Sequence, residues 1–146
     1  MADKFSPQAI ENLDPDMRRL VRMARKARSR AYAPYSKYLV GCVVIDSKGG
    51  VHSGCNVENS SYSVSICAER TALAKMVSRG IRDCRKIIVV TSSEEPSFPC
   101  GICRQMIQEL GPRSVIYAVN RRGSLYCEIP FSELYPLAFS KEKLTR

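Results

Sequence analysis

Three cysteines and one glutamate stand at spacings that suit metal-assisted hydrolysis. Cys67-Ala68-Glu69 opens one segment of helical periodicity, and Pro99-Cys100-Gly101-Ile102-Cys103 opens another. A Cys-x-x-Cys pair alone fits a redox centre, a structural zinc site or chance in a cysteine-rich chain. Joined to Cys-x-Glu, in this order and with both at helix starts, it points to catalytic zinc (Zn2+). Such a zinc takes three protein ligands and keeps a fourth position for water. Cysteine binds as thiolate, and a helix N-terminus favours thiolate through its unpaired N–H groups and its dipole. The expected ligands are Cys67, Cys100 and Cys103. Glu69 falls in the first helical turn, where side chains lean back toward the N-terminus. Its carboxylate is expected to move protons rather than bind metal. Three thiolates outweigh the charge of the ion and weaken it as a Lewis acid. Arg70 and Arg104 directly follow Glu69 and Cys103. Both are expected to donate to thiolate sulfur and draw that charge back.

The elements that must hold these groups are legible as periodicities. Residues 14–31 carry apolar side chains at Met17, Leu20, Val21, Met23, Ala24, Ala27 and Ala31, the spacing of an amphipathic helix, stopped at Ala33-Pro34. Residues 38–45 and 51–57 read as a hairpin through Ser47-Lys48-Gly49-Gly50. Residues 67–78 and 101–110 return to helical spacing, closed by Gly80 and by Gly111-Pro112. Residues 86–91 form an apolar run typical of a strand covered on both faces. Residues 114–119 and 125–129 read as two more strands, and 131–137 as a helical turn. The pattern predicts an α/β protein with one mixed sheet and helices on both faces, in a single domain over 1–146.

Composition narrows the setting. The chain has 146 residues, 45% of them hydrophobic, enough for one core without disulfide staples. No run approaches the roughly 18 apolar residues of a membrane span. Residues 1–12 carry no apolar block of a signal peptide, so a cytoplasmic protein is expected. Lys and Arg number 23 against 14 Asp and Glu, for a net charge of +9, which could mark a nucleic-acid binder. Yet Arg18, Arg19, Arg22, Arg25, Lys26, Arg28 and Arg30 crowd into one helix, which reads as a solvated face. No specific nucleic-acid partner is expected. Seven cysteines, an odd number, fit thiols and metal ligands better than a disulfide frame. Cys42, Cys55, Cys84 and Cys127 are given no function. His52, the only histidine, is read as exposed on a hairpin strand and not as a ligand.

Longer stretches carry a family resemblance. They are Ala31-Tyr32-Ala33-Pro34-Tyr35-Ser36, Gly54-Cys55-Asn56-Val57-Glu58-Asn59, Ile66-Cys67-Ala68-Glu69-Arg70-Thr71-Ala72, Pro99-Cys100-Gly101-Ile102-Cys103-Arg104-Gln105 and Glu133-Leu134-Tyr135-Pro136. Over nearly its whole length the chain resembles the small homotetrameric zinc-dependent cytidine deaminases of pyrimidine salvage. The resemblance implies a three-layer α/β/α fold around a five-stranded mixed sheet. It also implies one zinc per subunit and hydrolysis of cytidine and deoxycytidine to uridine products and ammonia. It implies that Asn56 and Glu58 hold the ribose 3′-hydroxyl and that Ala68 and Tyr62 belong to the substrate site. Tyr38 and Leu39 stand where the family usually has Phe and Pro, the aromatic ring packing on the base. Ser63 stands in place of another customary Pro. Phe139, with Tyr35 and Tyr62, is expected to serve a neighbouring subunit's site. The alternatives are a redox protein using Cys100 and Cys103, a structural zinc module with Cys55 as fourth ligand that binds nucleic acid, and a deaminase of polynucleotide.

Overall fold

The computed structural model describes residues 5–144. Residues 1–4, the start of the segment read above for a signal peptide, and residues 145–146 lie outside the described residues. Helix α1 (Pro15–Arg28) begins where Asp14 accepts the Met17 N–H at 2.8 Å, with Pro15 at a first-turn position that needs no N–H partner. Its apolar stripe, Met17, Leu20, Val21, Ala24 and Ala27, is buried. The helix ends at Ser29, earlier than Pro34 requires, because Arg30 and Ala31 bond to the carbonyls three residues back and tighten the last turn.

Six strands form one sheet: β1 (Gln8–Ala9), β2 (Gly41–Asp46), β3 (Val51–Cys55), β4 (Cys84–Val90), β5 (Val115–Val119) and β6 (Leu125–Pro130), in the order β1-β6-β5-β4-β2-β3. Only β4 and β5 run parallel. The expectation was five strands. The sixth is the two-residue β1, paired to Leu125 and Tyr126 of β6 and too short to leave a periodicity. Helix α1 packs with Val43, Ile88, Val90 and Val119 on one face. Helices α2 (Ala68–Ser78), α3 (Gly101–Leu110) and α4 (Phe131–Leu134) cover the other, with Leu73, Met76, Ile107 and Phe131 against Val44, Ile87, Val89 and Ile116. Strand alternation sends neighbouring residues to opposite layers, and the three-layer α/β/α arrangement follows.

Two features set up the site. Gly54 lets β3 lie against the first turns of α2: a Cβ there would sit 2.5 Å from Ala72 N and 2.7 Å from Ala68 O. Strand β2 starts at Gly41 rather than residue 38, because side chains capture the preceding backbone donors. Tyr38 N–H donates to Ser36 Oγ, Leu39 N–H to Ser92 Oγ and Val40 N–H to Asn56 Oδ1. Those three residues become a wall instead of a strand.

His52 corrects the sequence reading. It is 2% exposed, because alternation in β3 turns His52 and Gly54 inward. Its Nε2 lies 2.7 Å from Asp46 Oδ2, while Asp46 Oδ1 accepts the Lys48 and Gly50 N–H groups of the hairpin turn. Burial works against the Asp46 carboxylate, but the His52, Gly50 and Lys48 bonds outweigh it and hold its pKa below the ordinary value. A depressed carboxyl stabilises the fold above its unfolded pKa, and that contribution is lost as pH falls through the folded pKa. Asp46→Asn is therefore expected to lower the melting temperature by about 3–6 °C near neutral pH. The gap should close in strong acid. Melting curves across pH check this, and a constant gap would leave the Asp46 charge with no role.

Candidate active site

Cys67 and Cys100 are the N-cap residues of α2 and α3, and Cys103 lies one turn into α3. The two helix starts converge. Cys67 Sγ and Cys100 Sγ are 3.7 Å apart, and the three sulfurs all lie within 4.8 Å of one another. Two sulfurs bound at about 2.3 Å to one tetrahedral zinc lie about 3.8 Å apart, so the donor set and its span fit that ion. Hydrogen bonds from Cys103, Cys100 and Arg70 outweigh burial and bring the Cys67 thiol down to about 5. Cys103, bonded to Cys67 and buried near Glu69, is raised instead. Among the described residues Cys55 is outside this group, its thiol directed at Arg30 O at 3.6 Å. The structure therefore offers no fourth cysteine to close the site. Cys42, Cys84 and Cys127 are buried thiols in the sheet, as expected of small hydrophobes.

Glu69 is 4% exposed in the first turn of α2. Burial raises its carboxyl to about 7, with the Cys67 sulfur adding to the effect and the Glu69 backbone N–H opposing it. Arg70 donates to Ser65 O at 3.0 Å, its guanidinium helps to lower the Cys67 thiol, and its Nε is buried without a partner among the described residues. Arg104 was read like Arg70, but its hydrogen bonds run to Pro99 O at 2.8 Å and Leu134 O at 3.1 Å. It holds the backbone that leads into α3.

A cavity of about 340 Å³ joins these groups to the rest of the predicted set. Cys67, Cys100 and Glu69 line one part of it, Tyr38, Val40, Val89 and Phe98 an apolar part, and Ser36, Asn56 and Glu58 a polar part. Asn56 spends its amide on the wall, accepting from Val40 N–H and donating to Tyr38 O, each at 2.8 Å. An amide has a second proton and a second acceptor site to offer a ligand. The Glu58 carboxylate accepts from the Ser36 hydroxyl, from Tyr35 N–H at 2.9 Å and from Ser36 N–H at 3.2 Å. The Ser36 hydroxyl leads these in holding its pKa below the usual carboxylate value.

The remaining predicted residues divide. Ala68 is fully buried behind Cys67 as the first residue of α2. Tyr62 is 75% exposed and meets Tyr35 edge to face at 5.8 Å, beside a second hollow shared with Ser36, Glu58 and Ser65. Phe139 is 54% exposed and does not line the cavity of its own chain, and its carbonyl accepts from Gln105 Nε2. Sequence reasoning passed over Phe98, Thr91 and Ser36, which also line the cavity. An aromatic residue just before Pro99-Cys100, in the loop leading to a ligand helix, was the available signal for Phe98.

Three sulfurs at two helix starts, over one face of a mixed sheet, define a site fit to hold zinc. Residues 15–119 match the family described as the cytidine and deoxycytidylate deaminase zinc-binding region. The chain belongs to this family. It is 44% identical over 131 residues to the cytidine deaminase of Sporosarcina psychrophila, covering 89% of this chain and 96% of that protein. The crystal structure of cytidine deaminase from Burkholderia pseudomallei superposes with a TM-score of 0.79 at 39% identity, covering 87% of this chain and 100% of that one. The crystal structure of cytidine deaminase from Mycobacterium tuberculosis gives 0.73 at 31% identity, covering 87% and 99%.

Proposed function

We propose that this chain hydrolyses the 4-amino group of free cytidine and deoxycytidine, giving uridine, deoxyuridine and ammonia. The observation that carries the reading is one cavity shared by a three-sulfur cluster, a buried glutamate and a polar Asn56–Glu58 corner. Cys67, Cys100 and Cys103 would hold one zinc per chain. When bound, the ion supplies a Lewis acid that makes water nucleophilic at neutral pH. Glu69 takes a proton from the attacking water and passes it to N3 of the base as oxygen bonds to C4. It then carries the proton of the new C4 hydroxyl to the amine, the C4–N bond breaks, and ammonia leaves. Tyr38 and Phe98 pack beside the base, while Asn56 and Glu58 hold the sugar hydroxyls. The test is direct: cytidine added to the purified chain should lose its cytosine absorbance band. Persistence of the band with zinc present would overturn the reading.

Arg70 is assigned to the metal. Its lowering of the Cys67 thiol and its unpaired Nε support that role. Arg70→Ala is expected to lower turnover and to weaken zinc affinity by about 10–100-fold, measured by competition with a chelator. Unchanged values in both assays would leave Arg70 without this function.

We read the active unit as a homotetramer of single-domain subunits in the cytoplasm. The exposed Tyr35–Tyr62 pair beside Glu58, and an exposed Phe139 that does not line the cavity of its own chain, support pockets shared between subunits. Seven free cysteines, three of them needed as thiolates, support a reducing compartment. Among the described residues no helix is long and apolar enough to cross a membrane. Sedimentation at assay dilution is expected to find tetramers, with Phe139→Ala losing activity. A fully active monomer would contradict the shared-pocket reading.

A further inference from the structure

Tyr38 lines the cavity with its ring and finds a partner for its hydroxyl: Tyr38 Oη and Ser93 Oγ are 2.8 Å apart. The backbone of the same residue is held as well, its N–H by Ser36 Oγ and its carbonyl by Asn56 Nδ2. The Ser92 hydroxyl, next in the loop after β4, accepts from Leu39 N–H and donates to Leu39 O, both at 3.0 Å. Consecutive serines of one loop thus grip consecutive residues of the cavity wall. That loop is itself braced. Ser93 N–H donates to Thr91 Oγ1 at 3.2 Å, Ser93 O accepts from Arg121 N–H at 2.8 Å, and Arg28 Nη1 bridges Thr91 O and Arg121 O at 2.5 and 2.9 Å. Ser93 does not line the cavity, so whatever it does there it does through Tyr38.

We propose that Ser93 is a positioning residue which, by holding the Tyr38 hydroxyl, sets the aromatic wall against which the base is bound. The proposal rests on the deaminase reading above. An aromatic ring has two side-chain torsions, and packing alone leaves a ring that is 39% exposed free to tilt. A hydroxyl bond at its far end restricts both torsions before substrate arrives, so binding loses less rotational freedom. Leu39 lacks the fixed φ of a proline, and the Ser92 hydroxyl restrains that step of the backbone instead. The continuous chain from Ser93 through the Tyr38 ring and backbone to Ser36 reaches Glu58, so base wall and sugar acceptor are held in one frame. The sulfur cluster and Glu69 belong to other elements, and the chemical step should not feel the loss.

The test is a cycle of Tyr38→Phe, Ser93→Ala and the double variant, assayed with cytidine. Each single variant is expected to raise KM about twofold to tenfold, the net worth of one hydrogen bond, with kcat within about twofold of the wild type. The double variant should be no worse than the weaker-binding single. Ser93→Thr keeps the hydroxyl and should restore the wild-type KM. Unmoved KM in both singles, additive effects in the double, or a lowered melting temperature with KM unchanged would each overturn the proposal. A wild-type chain that turns over no cytidine is a separate result and refutes the deaminase reading itself.

Discussion

Glu69→Ala is expected to lower kcat for cytidine by at least about 10²–10⁴-fold while zinc content stays at about one per chain. The size follows from how many transfers one carboxyl serves. It takes a proton from water, delivers one to the ring nitrogen and delivers another to the leaving amine. Among the described residues no imidazole lines the cavity, and Glu69 is the carboxyl beside the sulfurs. The other acid there is Glu58, engaged with Ser36 and Tyr35, and the only histidine is buried against Asp46. Glu69→Gln is the closer probe, since it keeps the size and shape of the side chain while replacing one carboxyl oxygen by an amide NH2 that cannot exchange the proton. Zinc should survive in both variants because the sulfurs, not Glu69, form the donor set. Near-full activity in a zinc-replete Glu69→Gln protein would refute the assignment.

Free nucleosides are expected to be deaminated at least about a hundredfold faster than a cytosine in single-stranded DNA or RNA at physiological salt. A site that accepts a hydrogen bond from a substrate hydroxyl rejects a ligand lacking it strongly, because the acceptor is left unpaired. In a strand the 3′-oxygen is esterified, so the donor is gone and a phosphate charge faces Glu58. An ordinary carboxyl is already charged at neutral and mildly acid pH, and the hydrogen bond from the Ser36 hydroxyl is the leading cause that lowers the pKa of this one. The discrimination should therefore hold unchanged from neutral to mildly acid pH. The +9 net charge acts over a screened distance of about 8–10 Å, so polynucleotide attracted to the surface is expected to stay outside the cavity. Glu58→Gln should impair nucleoside turnover. Parallel assays of cytidine, deoxycytidine and a cytosine-bearing oligonucleotide check this, and comparable rates on all three would mean that the sugar reading is wrong.

What could be read from the residues alone was whatever depends on local period and donor chemistry. Helix α3 has the predicted bounds because Gly101 to Leu110 is framed by Cys100 and Gly111. The three-sulfur cluster was visible because thiol spacing at a helix start is a local property. Most of the misses share a cause, which is long-range partnership. Residues 38–40 carry strand-like side chains, yet Ser92 and Asn56, far along the chain, take their backbone donors. His52 is the exception: its partner Asp46 lies six residues back across the hairpin, and its alternation with Gly54 in β3 was the local signal passed over. Arg104 follows a ligand cysteine, but the carbonyl of Leu134, thirty residues on, claims one arm of its guanidinium. Ser36 reached the cavity through the same kind of contact, its hydroxyl bonded to Glu58 twenty-two residues on.

Zinc content and cytidine turnover measured on one sample, before and after chelation and again after zinc is restored, test the central claim most directly. About one zinc per chain is expected, with turnover falling in proportion as the metal leaves and returning with it. The Cys67→Ala, Cys100→Ala and Cys103→Ala chains should hold neither metal nor activity. Cytidine turnover that persists in the zinc-free chain, or full zinc occupancy with no turnover, would contradict it.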